Sequence, residues 1–446
     1  MPGDFQIYFC IALLLSVTFA VFLNSYVCSK RFAPIDIGVW WLIFLSIYTI
    51  FPILSWLVTG NFSTTATHRL ISTSYSEVVI ILQIAVCYAI FFAIPYLFIS
   101  RVKFEENRHL FGRINNFHFV VVILIFVVGI FVLQYVFSSI SIGSGYENKY
   151  TNIHILSLTE KRVHKFISLA LVISSILLIA GLLQRPKLRT ISIIILPVLI
   201  LISAPWESRG NAIFIMLAFL ISWHVFVRNI PIWFWGLMLI CGVLSFNLLG
   251  AIRSYHRLPE GIEIVYWMTS SGEFQHIFGN AVDLIQVKKI GGLDLSSHVR
   301  YSEFFAFLPQ ELLPFEKIRL ADWFIEHFYP HMKSTGGGLA FGVVAQAIAG
   351  NGVIEAMMRG LSFGIVLGLI TRLTKQYSFY WFVFPLYIFL LIRIFNSVRD
   401  TMYSFLSDTI QILVPFLIFM SAISWLFSRL YHYTLQENKS SASDYY

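Results

Sequence analysis

The sequence predicts an all-α fold, a polytopic transmembrane helical bundle with one long extracytoplasmic loop. Composition, the spacing of apolar runs and the placement of basic residues carry that expectation. Of 446 residues, 58% are hydrophobic and only 12% are charged, and the mean hydropathy is +0.77. Soluble domains carry roughly 25% charged residues. A soluble core could not hide so much apolar surface, so lipid must solvate most of the chain.

A helix needs about 20 mostly apolar residues to cross a bilayer. Runs of this kind occupy 5–27, 37–58, 77–99, 117–137, 166–184, 190–204, 211–228, 231–250, 353–371, 379–396 and 405–428, about eleven spans. No cleavable signal peptide is expected, because Met1–Asp4 lacks a basic region and the first apolar run is long enough to span. The segment LAFGVVAQAIAG, between 338 and 350, is apolar but too short to cross, and suits a re-entrant or interfacial element. The expected organisation is N-terminal transmembrane helices over 1–250 and a long outer loop with short helices over 251–337. A re-entrant element and the C-terminal spans follow over 338–428, with a polar cytoplasmic tail at 429–446. Within the long loop, SGEFQHIFGNAVDLIQVKK and EFFAFLPQELL read as short amphipathic helices lying on or capping the bundle. Cys10, Cys28, Cys87 and Cys241 lie in or beside apolar runs without metal-like spacing and read as packing residues.

The formal net charge of +8 does not signal nucleic acid, because the basic residues sit between spans. Lys30 and Arg31, then Arg101, Lys103, Arg108 and Arg113, then Arg185, Lys187 and Arg189, then Arg228, then Arg372 and Lys375 all fall on one side. The positive-inside rule makes that side the cytoplasm. The loops at 138–165, 204–210 and 397–404 then lie outside, with 251–337, which is too long to be a plain connector.

Several groups on that outer side could carry chemistry. In the turn Pro205–Asn211, Gly210 permits a sharp bend and the next helix start offers an anion site. Arg209 beside it could clamp a phosphate; the competing reading is an interfacial arginine that snorkels or pairs with Glu207. Arg253 and Arg257, four apart just past the eighth span, share a helix face. Two cations so close need an anion, or Glu260 and Glu263, between them. The stretch Arg393–Asp400, with Arg399, leads into the last span, and Arg393 and Asp408 lie in apolar sequence. Ionisable residues there are functional candidates by default, against an ion pair that locks two helices. Glu355 and Arg359, at i and i+4 in the ninth span, fit such a pair.

Candidate acids and bases in the long loop are Glu273, Asp283, His298, Asp322, His327 and His331. His327 and His331 are four apart, but Pro330 intervenes and no HExxH motif is present, so no metal site is expected. The chain also lacks a P-loop, a GxSxG motif and a Rossmann fingerprint. That counts against an ATP-driven pump and against a nucleotide-sugar transferase on the inner face.

The run from about 301 to 360 carries FLPQELLPFEK, an acidic and aromatic stretch, and then STGGGLAFGVVAQAIAGNGVIEAMMRG. It resembles the segment of bacterial O-antigen polymerases, the Wzy-type oligosaccharide repeat-unit polymerases, in which a small-residue run leads to an asparagine–glycine turn and a glycine-bearing span. SRGN at 208–211, SGEF at 271–274 and SVRDTMYSFL at 397–406 follow the expected order. The likeness touches most of the chain from about 200 to 410, whereas the first 190 residues match only in being hydrophobic. Gln346 departs from it, standing where members often have a carboxylate. The spacing RX10G of some members occurs at Arg101–Gly112, in a loop expected to be cytoplasmic, and is read as coincidence.

The resemblance implies a GT-C-like enzyme of the bacterial inner membrane that joins undecaprenyl-diphosphate-linked oligosaccharides on its outer face into O-antigen or capsular polysaccharide. A hydroxyl of one lipid-linked unit attacks the anomeric carbon of another glycan, and undecaprenyl diphosphate leaves. The activated donor supplies the driving force, so no cofactor is expected. The protein must stabilise the leaving diphosphate and supply a base. Arg209, Arg253, Arg257 and Arg399 suit the first task, and Glu273 or His331 the second. Expected partners are the lipid-linked glycans, membrane lipid, a chain-length co-polymerase and a flippase. An O-antigen ligase would share architecture and donor, although SGEF and the asparagine–glycine turn favour the polymerase. A repeat-unit flippase or other transporter would instead show repeat symmetry and charges along a central cavity.

Overall fold

The computed structural model describes residues 2–59, 61–64, 69–102, 116–136, 157–203, 209–255, 273–291, 310–330 and 340–415, with scattered positions in 111–114, 261–308 and 418–425. The N-terminal half is built from α1 (Pro2–Cys28), α2 (Ile37–Thr59), α3 (Tyr75–Ile99), α4 (Asn116–Val136), α5 (Leu158–Leu183), α6 (Arg189–Ser203), α7 (Arg209–Phe226) and α8 (Ile232–Tyr255). Then come α9 (Glu273–Lys289), α10 (Leu320–Phe328), α11 (Val343–Ala349), α12 (Val353–Tyr377), α13 (Val383–Arg399) and α14 (Met402–Asp408), the last running into a π-helical turn at Thr409–Leu413.

Among the described residues, five stretches are long and apolar enough to cross a membrane: Phe5–Cys28, Ile37–Leu57, Tyr75–Ile99, Phe166–Leu183 and Val353–Tyr377. His118–Val132, Phe214–Phe226 and Ile232–Ser245 are shorter apolar helices. Large apolar side chains on α1 face outward, Phe5 at 72% and Phe19 at 59% exposure. Such a surface would aggregate in water but is solvated by lipid. The chain is a multi-pass helical membrane protein.

Two helices begin earlier than the apolar runs suggest. Ser74 and Glu77 form a reciprocal capping box that starts α3 at Tyr75, and Ser157 with Glu160 does the same for α5 at Leu158. Each box satisfies two helix-end donors that lipid cannot. The segment 158–165, expected as outer loop, is therefore the first two turns of α5, polar because it stands beyond the apolar stretch.

The most extensive helix–helix interface among the described residues joins α3 and α12. Gly360, Gly364 and Gly368 repeat every four residues along α12, and a Cβ at Gly360 would sit 2.6 Å from the Tyr88 carbonyl oxygen. At Gly364 it would sit 2.3 Å from the Phe92 carbonyl oxygen. Small residues at this period let two backbones touch, and in lipid such packing replaces the hydrophobic drive between helices.

The short basic loops meet in one layer. Arg31 Nη2 donates to the Val225 carbonyl at 2.6 Å, and Lys375 Nζ donates to the Ser100 carbonyl at 3.2 Å. The Gly112 amide donates to the Ser378 carbonyl at 2.8 Å, and the Ile114 amide to Gln184 Oε1 at 2.8 Å. His224 Nδ1 accepts from the Ile230 amide, so Nε2 carries the proton donated to the Arg31 carbonyl. Asp36 caps α2, with Oδ1 accepting from the Gly38 and Val39 amides at 3.0 and 3.2 Å. Tyr96 gives its single proton to the same carboxylate, so Thr371 donates to the Tyr96 oxygen at 3.0 Å. This layer is the physical form of the one-sided basic loops.

The opposite end differs from expectation. SGEFQHIFGNAVDLIQVKK does not lie on the bundle: α9 is buried continuously from Phe274 to Ile285 and packs between α2 and α11. Its polar residues turn inward to partners, Gln275 to Ser55 Oγ at 2.8 Å and Asn280 to the Ala340 carbonyl at 2.8 Å. Within EFFAFLPQELL the described residues form a single 3-10 turn at Gln310–Leu312. A two-stranded antiparallel hairpin, Asn61–Thr64 with Arg69–Ser72, adjoins α9.

Candidate functional site

At the end of α12 opposite the basic layer, four polar side chains converge. Gly352, at φ +63°, precedes α12 and turns the chain out of α11. Glu355 and Arg359 occupy the first turns of α12, and Arg359 Nε donates to Glu355 Oε1 at 2.8 Å. This is the i,i+4 pair anticipated from spacing. Arg359 also reaches a residue that spacing did not reveal: its Nη1 pairs with Glu303 Oε2. Gln346, on the fully buried α11, donates Nε2 to the same Glu303 oxygen at 2.6 Å.

The arithmetic of charge is uneven. Among the described residues that pair directly here, two carboxylates surround one guanidinium, a formal surplus of one negative charge within that trio. Glu303 and Gln346 are 6% and 3% exposed. Among the described residues, Glu303 Oε1 and Gln346 Oε1 are buried oxygens without a hydrogen-bond partner. Leaving such acceptors unmet costs about 1–3 kcal/mol apiece. Both residues line one cleft with Glu355, Arg359, Gly350 and Thr401. Its unfilled space is about 340 Å³ with the open mouth included, but the part wide enough for a water is only about 10 Å³. That is room for about one water or hydroxyl group, not a sugar ring.

The surrounding elements hold this geometry firmly. Lys288 Nζ donates to the carbonyls of Ile348 and Gly350 at 3.2 and 2.8 Å, a cation on the C-terminal end of α11. Lys289 pairs with Glu77 of α3 at 2.9 Å. Gly342, at φ +93°, donates its amide to the Asp400 carbonyl at 2.9 Å, and an added Cβ there would strike Ile277 at 2.3 Å. Asp283 accepts from the Tyr329 hydroxyl at 2.8 Å.

The residues expected from sequence are placed unevenly. Arg399 is the last residue of α13, half-buried, two positions before the cleft-lining Thr401. Arg209 opens α7, Arg253 lies in the last turn of α8, past its apolar stretch Ile232–Ser245 as expected, and Glu273 opens α9. The side chains of these three, with Arg257, His298, His331 and the side chain of Asp408, lie outside the described ones. His327 Nδ1 donates to the Trp323 carbonyl at 3.0 Å, a bond within its own helix. Arg393 has its guanidinium 5.9 Å from the Phe389 ring centroid. Asp322 is paired with Arg319 at 2.7 Å on an exposed face, a solvated ion pair.

Glu303 was missed because YSEFF matches no motif. A solitary carboxylate among aromatics was the available signal, since such a group needs a cation when buried. Comparison with protein-family models, with curated proteins and with solved structures finds no match to this chain.

Proposed function

We propose that this chain is a lipid-linked oligosaccharide polymerase of the bacterial inner membrane, crossing it about eleven times and acting on the outer face. One observation carries the reading. The buried, net-negative cluster of Glu303, Glu355, Arg359 and Gln346 lies opposite the basic layer and is assembled from the same 301–360 stretch that resembles the Wzy-type polymerases. By the positive-inside rule that end faces away from the cytoplasm, where lipid-linked repeat units are presented. The reaction needs a base for an attacking hydroxyl and cations for a departing diphosphate. Acidic groups gather in the cleft. Arg209, Arg253, Arg257 and Arg399, all near outer helix ends in sequence, supply the candidate cations for the diphosphate. Glu273 and His331 remain candidate bases beside the cleft's own carboxylates. The chain-length co-polymerase and flippase are proposed partners of the same pathway.

The test is surface-glycan banding after gene deletion, complemented with wild type or with Arg253→Ala. A surface glycan carrying a single repeat unit after deletion supports the polymerase, and failure of Arg253→Ala to restore the ladder supports the diphosphate role. Loss of every attached repeat, with polymer accumulating on the carrier lipid, would identify a ligase instead. An unchanged ladder would remove the whole assignment and favour a transporter.

A further inference from the structure

We infer that Glu303 is the catalytic base of the proposed polymerisation, with Gln346 Oε1 as the second acceptor for the same incoming hydroxyl. The inference rests on the polymerase reading and deepens it. Its starting point is an asymmetry within one carboxylate. Oε2 of Glu303 is anchored twice, by Arg359 Nη1 and by Gln346 Nε2. Oε1 is buried and has no partner among the described residues. The carboxylate is therefore fixed in orientation by one oxygen and has its hydrogen-bonding capacity unmet at the other, which is the state a base needs before its substrate arrives.

The surrounding chemistry selects the ligand. Two buried acceptor oxygens with no partner among the described residues call for a donor hydrogen. The water-sized space beside it, about 10 Å³, admits a hydroxyl while the ring that bears it stays at the mouth. Glu355 is less suited, because its Oε1 is already committed to Arg359 and its side chain is 21% exposed.

The step balances. As the hydroxyl oxygen of the acceptor sugar forms a bond to the anomeric carbon of the donor glycan, its O–H bond breaks and the proton passes to Glu303 Oε1. The anomeric C–O bond to the diphosphate breaks, and its electron pair leaves on the undecaprenyl diphosphate. The proton on Glu303 is then released to water through the cleft mouth. Arg359 and Gln346 are positioning residues, acting through Oε2. Among the described residues, the titratable and charged groups at the cleft around Glu303 are Arg359 and Glu355 of α12 and Tyr88 of α3, with Lys288 of α9 on the Gly350 carbonyl at the cleft wall.

The test uses the full chain in lipid nanodiscs with repeat units on undecaprenyl diphosphate, extracted from the deletion strain. Glu303→Gln is expected to accumulate and melt near wild type, since Arg359 keeps Glu355, yet to extend glycan about 10²–10⁴-fold more slowly. Wild-type activity is expected to fall as pH drops, because the base must be unprotonated, and the residual Glu303→Gln rate is expected to lack that acid limb. A purely structural role would leave the limb in place. Should Glu303→Gln fail to accumulate, Glu303→Asp keeps the charge on a shorter arm, and a rate at least about tenfold lower with the acid limb retained is expected. Polymerisation by either accumulating variant within about threefold of wild type, or an unchanged acid limb in Glu303→Gln, overturns the assignment of Glu303. That outcome leaves the polymerase reading intact, whereas wild-type protein with no extending activity at all would sink the reading itself.

Discussion

Replacing Arg359 with methionine tests whether the cluster is one energetic unit. Methionine keeps the length of the arginine stem but leaves Glu303 and Glu355 without the guanidinium that pairs with both. Exposed ion pairs contribute about 0–1 kcal/mol, but breaking a buried pair from one side costs about 3–5 kcal/mol, because the orphaned charge stays in a poor solvent. The side chains of Arg359 and Glu303 are 10% and 8% exposed, so the larger range applies. Adding Glu303→Gln to Arg359→Met removes the deeper orphan and leaves the shallower Glu355, 21% exposed. The double variant should therefore recover about 2 kcal/mol relative to the sum of the singles, well above the roughly 0.5 kcal/mol expected of independent sites. The assay is reversible unfolding in mixed micelles by increasing dodecyl sulfate fraction, followed by the fluorescence of the 11 tryptophans. Additive losses within about 0.5 kcal/mol would refute the reasoning, because they would mean that solvent already screens the three charges from one another.

Two further outcomes follow from the packing and the layer of basic loops. Gly364→Ala should cost about 1–3 kcal/mol in the same assay, since its Cβ would sit 2.3 Å from the Phe92 carbonyl oxygen. Gly242→Ala on α8, where an added Cβ meets nothing within 4 Å, should be neutral or stabilising by up to about 1 kcal/mol; equal losses at both would deny the glycine seam. In a variant lacking Cys10, Cys28, Cys87 and Cys241, an impermeant maleimide applied to intact spheroplasts should label Ile290→Cys, native exposure 83%, and spare Lys187→Cys until the membrane is opened. The reverse pattern would invert the orientation and move the cleft to the cytoplasmic face.

The fold was legible where one physical rule dominated. Apolar length located α1, α2, α3 and α12, and one-sided basic loops foreshadowed the layer joining Arg31, Gln184 and Lys375. Helix starts were misjudged at Ser74 and Ser157 because hydropathy ignores capping boxes, although both S-x-x-E patterns stand in the sequence. The placement of α9 was misread for another reason. Its Gln275, Asn280 and Asp283 make it amphipathic by composition, yet each is buried, and Gln275 and Asn280 donate to Ser55 and the Ala340 carbonyl. Tertiary partners, invisible locally, converted a surface helix into a core helix. At the site, the Glu355–Arg359 half was written in the i,i+4 spacing, while Glu303 joins from 56 residues away and no local pattern encodes such a meeting.

The glycine seam and the cleft are two parts of one arrangement. Gly360 follows Arg359 directly, and its missing Cβ lets α12 approach the Tyr88 carbonyl on α3. Tyr88 in turn donates its hydroxyl to Met402 Sδ at 3.7 Å, tying α3 to α14 just past Thr401. The backbone contact at Gly360 therefore sets how deep Arg359 sits, and Arg359 sets the orientation of Glu303. A charged group is tolerated there because it is near the start of the span, within reach of water at the cleft mouth, rather than at the bilayer centre where the cost rises. The same helix thus serves two demands: its glycines supply the close packing that lipid does not drive, and its first turns hold the guanidinium around which the acidic groups assemble.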